Sequence, residues 1–461
     1  MNNMKYRLRG RRETGVVKLT LLLLLHPALL MGQGTVDQNS DTLELTLHKA
    51  IELALSDNPT IVIANKEVER VDYARKEAWS SLFPSISAEG AYTRNMKLPV
   101  LFLPEGVFGP GSGGAMEMGY KNSFQGSVTA GMPLFSLSLL QNIKLSEHEM
   151  KAALESARAS RINMEAEVRK AYFSFLLARD TYEVMAQSVA NAEENLKNVR
   201  QFYGQGLVAE YDVIRSEVQV RNLKPGLVQA ENGVRMSEMM VRVLLGLAQE
   251  VPLKVHEELF DFERVELSGP AGFGEGMLEQ NTQLTQLDLQ LDKMATQFKL
   301  VRSQRYPTLS AFMSYQAVAQ ANDFKFGDYQ WANPLAAGVQ LSFPIFQGFS
   351  IRNQEKQVAV GREQLQLQRD YTVRNLVLQL NNAHTNMLKA LEQIESNREG
   401  VRLAERGFSI AQTRYKAGAG TLLELNDAEI ALTQAKLNLN QAMFDYLSAE
   451  TEYHQVLGRE E

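Results

Sequence analysis

The chain has 461 residues, a net charge of −6 and no cysteine. The missing thiols exclude disulfides, thiol catalysis, thiolate metal sites and lipid attachment through an N-terminal cysteine. The negative balance argues against a general nucleic-acid surface, and although the length alone suggests about three domains, an internal repeat points to one duplicated unit.

Lys5, Arg7, Arg9, Arg11, Arg12 and Lys18 precede a leucine-rich run from Leu19 to Met31. Gly32 and Gly34 follow, so residues 1–34 read as a secretory signal cleaved near 32–34. The run falls short of a membrane span of ~20 residues, and His26-Pro27 lies within it. No other stretch reads as a transmembrane helix. An exported chain of this kind can span a membrane only as a barrel.

Residues 35–42 are polar and read as an extended arm. A first repeat is expected over 43–250, beginning with a helix from Leu45 to Ser81 that breaks or restarts at Asn58-Pro59. Strands follow at about 84–96 and 122–133, separated by a Gly/Pro-rich loop from Leu98 to Gly119 that reads as a mobile surface loop. Phe124, Gly126, Val128, Ala130 and Met132 alternate with Ser123, Gln125, Ser127 and Thr129. One apolar and one polar face suits a barrel wall and equally a half-buried soluble sheet.

The longest uninterrupted pattern runs from Ile143 to Tyr203. Glu147, Leu154, Arg161, Val168, Phe175, Tyr182, Val189 and Leu196 step by seven. Met150, Ala157, Met164, Ala171, Ala178, Met185, Ala192 and Val199 do so three residues later. These are the a and d positions of a coiled coil, on a helix of the order of 90 Å. A turn at about 203–212 joins it to a second helix carrying Val213, Val220, Leu227, Val234 and Val241. Pro225-Gly226 is expected to interrupt and kink that helix.

Residues 251–274 read as a linker, and 275–458 as a second copy with strands at about 307–320 and 335–344. Its heptads run through Val373, Leu380, Met387, Ile394, Val401, Phe408 and Tyr415 to a tip at about 415–424. A closing helix carries Leu425, Leu432, Leu439, Tyr446 and Tyr453. The copies align at three ordered anchors: Asn58 and Pro84 with Asn281 and Pro307, Met132-Pro-Leu-Phe with Phe343-Pro-Ile-Phe, and Gly206 with Gly418. Ordered anchors with one length change between them are the signature of a tandem duplication.

Catalytic and cofactor motifs are missing from this reading. His26, His48, His148, His256, His384 and His454 show no metal-ligand spacing, and no nucleotide loop exists. The chain therefore reads as a non-enzyme with no metal or cofactor. Four strands cannot close a membrane barrel, which needs at least ~8. They form either a soluble sheet or one share of a barrel built by several chains.

These residues, in this order, resemble the TolC-like outer membrane efflux proteins. The matching pieces are Leu47-His-Lys-Ala-Ile-Glu-Leu-Ala-Leu-Ser-Asp-Asn-Pro59, the Pro84 and Pro307 strand starts, the two strand-to-helix junctions, and the tips Tyr203–Asp212 and Tyr415–Glu424. The resemblance implies a mainly α fold with a membrane β-barrel. A duplicated helix-strand-strand-helix-helix unit would give a trimeric, twelve-stranded barrel continued by a periplasmic coiled-coil barrel. It implies a passive exit duct in the outer membrane of a tripartite efflux or secretion system, touching outer-membrane lipid. Its partners would be two further copies, a periplasmic adaptor and an inner-membrane transporter.

By the same resemblance, Glu424 and Asp427 fall where carboxylates narrow the periplasmic aperture, with Asp212 the acidic residue of the first tip. Tyr203, Gly206, Tyr415, Gly418 and Thr421 fall on the tips that meet the adaptor, and Tyr415 matches a latch tyrosine. Gly420 stands where the family has a basic latch residue, so no bridge is expected there. A competing reading is an exported trimeric coiled-coil scaffold or adhesin anchored by a barrel. A periplasmic adaptor would need a β-rich lipoyl-like segment between its helices, and none is found.

Overall fold

A computed structural model describes residues 43–103, 114–248, 251, 253–263 and 274–459. The expected signal, the polar arm and parts of the Leu98–Gly119 loop and the 251–274 linker lie outside the described residues. In chain order the elements are β1 (Leu43–Glu44), α1 (Leu47–Asp57), α2 (Pro59–Ser80), β2 (Ser85–Arg94), β3 (Val100–Leu103), β4 (Gly114–Glu117), β5 (Asn122–Phe135), α3 (Leu137–Gly204) and α4 (Glu210–Leu245). There follow β6 (Leu253–Lys254), α5 (Thr282–Ser303), β7 (Thr308–Ala321), β8 (Leu335–Ser342), α6 (Ser350–Lys416) and α7 (Leu422–Leu457).

The two long helices carry the fold. α3 has 68 residues and α6 has 67, each about 100 Å of rod. Each folds back into a 36-residue partner, α4 or α7. The heptad residues Leu376, Leu380, Ala383, Met387, Ala390 and Ile394 line the buried stripe of α6. On α3 the buried stripe includes Met164, Val168, Phe175, Val189, Ala192 and Val199. The largest core cluster gathers Leu45, Ala50 and Ala54 against Tyr172 and Leu176 of α3 and Met443, Tyr446 and Leu447 of α7.

Asn58 and Asn281 do the same work twice. The Asn58 side-chain oxygen caps α2 by accepting from the Thr60 backbone N–H (2.8 Å), and its amide donates to the Leu244 carbonyl at the end of α4 (2.8 Å). Asn281 caps α5 through the Gln283 N–H (2.9 Å) and donates to the Val456 carbonyl at the end of α7 (2.7 Å). One side chain thus starts a helix and ties down the end of a distant one. Gly246 and Gly458 terminate those distant helices with φ of 67° and 73°, the left-handed form that glycine adopts freely. The two sites differ in room. A Cβ on Gly458 would lie 2.2 Å from the Gln280 carbonyl oxygen, whereas one on Gly246 would lie 3.4 Å from that of Asp57. Gly246→Ala is therefore expected to cost about 1 kcal/mol, from backbone strain alone. Gly458→Ala must also displace backbone and should lower the thermal midpoint clearly more. Side-by-side thermal unfolding of the two variants checks this ordering.

Three elements differ from the sequence reading. α4 runs unbroken through Pro225. Pro225 is exposed, on the side where a helix curving around its partner tolerates a missing bond. Gly226 next to it makes room for the Met185 methyl, which would lie 2.7 Å from a Cβ at that position. Part of the Leu98–Gly119 segment is a β-hairpin, β3 against β4, rather than a loop. The described part of the linker is ordered as well. β6 pairs in parallel with β1, and Arg179 of α3 donates to the Val255 and Glu257 carbonyls (3.1 and 2.7 Å). Tyr172 donates to the Glu257 carboxylate, which also accepts from the Leu47 N–H (2.9 Å). Burial, aided by that carboxylate, holds the Tyr172 phenol above its usual range.

Candidate functional site

The first candidate surface is the antiparallel sheet β2-β5-β7-β8. Its register sorts the alternating residues across all four strands. Ala88, Val128, Tyr315 and Leu335 form one row, and Ile86, Ala130, Met313 and Ala337 the next row on the same face. The opposite face carries rows such as Ser87, Thr129, Ser314 and Ala336, with Glu89, Ser127 and Gln316 beyond them. On that polar face the Ser87 and Thr129 hydroxyls hydrogen-bond across strands at 2.8 Å. Phe312 interrupts the polar pattern by lying over Gly338, its ring 3.0 Å from where a Cβ would sit.

Among the described residues neither face is covered. Val128, Leu335 and Val339 of the apolar face are 45%, 61% and 62% exposed. β2 and β8 each have one edge unpaired among the described residues. Exposed apolar area of this extent marks contact with lipid or protein. From Leu309 to Ala319 the apolar face of β7 spans about 33 Å. At the strand tilt of a barrel this gives about 25 Å, the height of an outer-membrane apolar band. Aromatic residues gather at both ends. Tyr92, Phe124, Phe324, Phe326 and Tyr329 cluster at the end remote from the helices, with Tyr92 and Phe124 stacked at 5.0 Å. Phe343, Phe346 and Phe349 are exposed at the other. Such a pair of belts suits a membrane-spanning wall.

The second candidate surface is formed by the hairpin tips, which end in the same motif. The Gly206 N–H donates to the Tyr203 carbonyl (2.9 Å) and the Leu207 N–H to that of Phe202 (2.9 Å). The Gly418 N–H donates to the Tyr415 carbonyl (3.0 Å) and the Ala419 N–H to that of Arg414 (2.8 Å). These are paired Schellman closures, with Gly206 and Gly418 at φ of 73° and 72°. The outgoing helices start differently. Ala209 offers α4 no side-chain cap, while Thr421 and Glu424 form a capping box on α7, each side chain bonding the other's N–H at 3.2 Å. The tips meet through Val199, Tyr415, Leu422 and Leu425, with Phe202, Val208, Val213 and Phe408 packed around them.

The structure separates the expected tip residues into two groups. Tyr415 is buried in the tip cluster, its hydroxyl without a protein partner. Burial, with the charge of half-buried Asp212 as the lesser cause, raises its phenol above the ordinary value. Glu424 and Asp427, three residues apart on one helix face, are exposed, as are Tyr203 and Thr421. Glu424 therefore serves helix capping and is also free to add charge at the tip surface. Gly420 has a packing reason. A Cβ there would meet the Arg414 Cβ at 3.1 Å and the Tyr415 N at 3.2 Å. Arg414 instead donates to the Ala419 carbonyl (3.0 Å). Two inward residues escaped the sequence reading: Asn426 and Glu429, both buried on α7. No periodic signal marked Glu429, which lies four residues after Leu425 and outside the Leu425–Leu432–Leu439 series.

The chain matches the profile described as "Outer membrane efflux protein" over residues 50–247 and 275–459. It belongs to the outer membrane efflux protein family. It is 22% identical to the probable efflux pump outer membrane protein TtgC of Pseudomonas putida over 428 residues, 89% of this chain and 82% of that one. The outer membrane protein TolC of Vibrio cholerae is 22% identical over 326 residues, 70% of this chain and 74% of that one. The fold matches the open-state MtrE outer membrane channel of Neisseria gonorrhoeae at a TM-score of 0.71 and 18% identity, covering 89% of this chain and 88% of that one. As an outer membrane efflux protein it is an outer-membrane channel with a periplasmic helical part. Family membership decides for the channel over the exported scaffold or adhesin.

Proposed function

We propose that three copies of this outer membrane efflux protein pool their sheets into one twelve-stranded barrel and their hairpins into one periplasmic tunnel. The observation that carries this is the sheet register. It presents a continuous apolar face, an opposite face that is largely polar apart from Phe312 and, among the described residues, two unpaired edges. Pairing the free edge of β8 with that of β2 on the next copy closes the ring, turns the apolar face to lipid and leaves a polar lumen. Twelve strands leave room for an aqueous path. We read the chain behind residues 1–34 as two copies of one unit, 43–250 and 275–458, which places one helical hairpin in each half.

The duct is passive. It receives its cargo from an inner-membrane transporter through a periplasmic adaptor that meets the tips around Tyr203, Gly206, Tyr415, Gly418 and Thr421. Asp212, Glu424 and Asp427 set the charge at the aperture. Three copies of an exposed carboxylate around a narrow axis repel one another and favour cations. Purified protein reconstituted into planar bilayers is expected to give discrete, cation-selective conductance steps. The absence of conductance from protein shown to be folded and inserted would refute the duct.

A further inference from the structure

The tip cluster contains polar groups that its own chain does not satisfy. Along the inward stripe of α7, Leu422 and Leu425 are followed by Glu429, which is 2% exposed. Neither carboxylate oxygen of Glu429 has a hydrogen-bond partner among the described residues. Asn195, buried on α3 one turn back from Val199, leaves its Nδ2 unpartnered, and the Tyr415 hydroxyl is unpartnered too. A position buried between packed helices normally holds an apolar side chain, and a buried polar group without a partner is destabilising. These three residues lie just behind two turns closed by left-handed glycines, Gly206 and Gly418.

Of the helices packed around the tip cluster, α4 contributes Val213 and half-buried Asp212, whose charge reaches Tyr415, and the others are α3 and α6. Their charged side chains there are exposed: Glu193, Glu194, Lys197 and Arg200 on α3, Glu405, Arg406 and Arg414 on α6. Several are engaged elsewhere, Arg200 with Glu217 (2.5 Å), Glu193 with Lys224 (2.9 Å) and Glu405 with Lys436 (3.1 Å). On α7 itself Glu424 and Asp427 point outward. Burial is thus the sole cause that pushes the Glu429 carboxyl up, to about 7.

We infer that Glu429 is the proton-responsive residue of the entrance: its neutral carboxyl is compatible with packed tips, and its ionisation drives them apart toward water. This rests on reading the tips as the periplasmic entrance. The direction follows from linkage. In the packed state the carboxyl holds its proton until about pH 7, and in an opened, hydrated state it returns toward its ordinary 4.5. The proton therefore favours the packed state. That preference is full below the ordinary value and is lost as pH rises to the packed-state value. One site linked in this way shifts the open-to-closed ratio by up to about tenfold per pH unit in each copy.

Single-channel recording from the reconstituted full-length protein, with the periplasmic side stepped from pH 4.5 to 8, tests this. The open probability of the native channel should climb between pH 4.5 and 7 and level off above. Glu429→Gln and Glu429→Leu should remain at the acid level throughout, and Glu429→Leu should fold at least as stably, since an apolar side chain suits the site. Asp180 on α3, pushed up to about 6 chiefly by burial, titrates in the same window, and the two Glu429 variants separate its contribution. A flat native profile, or variants that keep the native slope, would overturn the role of Glu429. Asp427→Asn controls for the underlying reading. A channel that responds to Asp427→Asn but not to Glu429→Gln refutes only the role of Glu429. A channel indifferent to Asp427→Asn places the constriction elsewhere and removes the basis for both.

Discussion

Asp427→Asn is expected to raise the single-channel conductance several-fold and to weaken cation selectivity. Asp427 is exposed, and no ion pair or hydrogen bond engages its carboxylate among the described residues. Its replacement therefore disturbs the pore field and little else. In the proposed trimer one substitution would remove three like charges from the proposed aperture ring, where a confined, low-dielectric path would strengthen their field. Glu424 requires a more careful choice. Its side chain closes the capping box with Thr421, so Glu424→Ala mixes lost charge with a capping loss of about 0.5–2 kcal/mol. Glu424→Gln retains the cap and reports the charge alone. The double variant Glu424→Gln/Asp427→Asn should exceed either single one. Unchanged conductance and selectivity in the double variant would place the constriction away from these tips.

Val128→Arg is expected to abolish assembly, while Ser127→Arg on the adjoining residue is tolerated. The two positions differ only in the face they occupy. Val128 shares its row with Ala88, Tyr315 and Leu335, near the middle of the apolar band, and Ser127 shares its row with Glu89 and Gln316. An arginine facing lipid near the midplane costs about 2–4 kcal/mol, and a symmetric assembly incurs that cost in every copy. An arginine on the polar face remains in water and should alter only ion selectivity. Heat-modifiable migration and outer-membrane yield of the two variants check this. Equal tolerance of both substitutions would mean that the faces are not a lipid side and a lumen side.

Much of this was legible in the chain because two periodicities dominate it. A sevenfold step over Glu147–Val199 specifies a rod, since an apolar seam of that length has no partner except another helix. The twofold alternation around Phe124–Met132 and Leu309–Ala317 specifies two-faced strands. What it left open was whether both faces stay uncovered, because alternation is identical in a soluble sheet. The exposure of the paired strands' side chains answered that. The Pro225 expectation failed because local propensity took no account of the packing of α4 on α3, which holds the helix continuous with its proline outward. The β3–β4 hairpin was missed because its strands are four residues each, too short for a periodic signal among glycines.

At the tips, the sequence reading singled out the glycines and acids but could not show their partners. Gly420 reads as a missing latch cation until Arg414 and Tyr415 are seen to fill the space beside it. Glu424 reads as an aperture charge and equally as a helix N-terminal acid, and the Thr421 capping box supplies the partner for the second role. Glu429 was invisible as a buried acid, since a single glutamate outside the apolar heptad series resembles ordinary surface variation in one sequence. Burial is a property of the packed hairpins, which set α7 against its chain neighbour α6 and against α3, more than two hundred positions away.

The central claim is that copies of this chain complete one another's barrel. Native mass spectrometry of the detergent-extracted protein, with the same preparation then inserted into planar bilayers, tests it most directly. Three copies per particle and a conducting pore are the predicted result; a monomer with a self-contained four-stranded sheet and no conductance would contradict it.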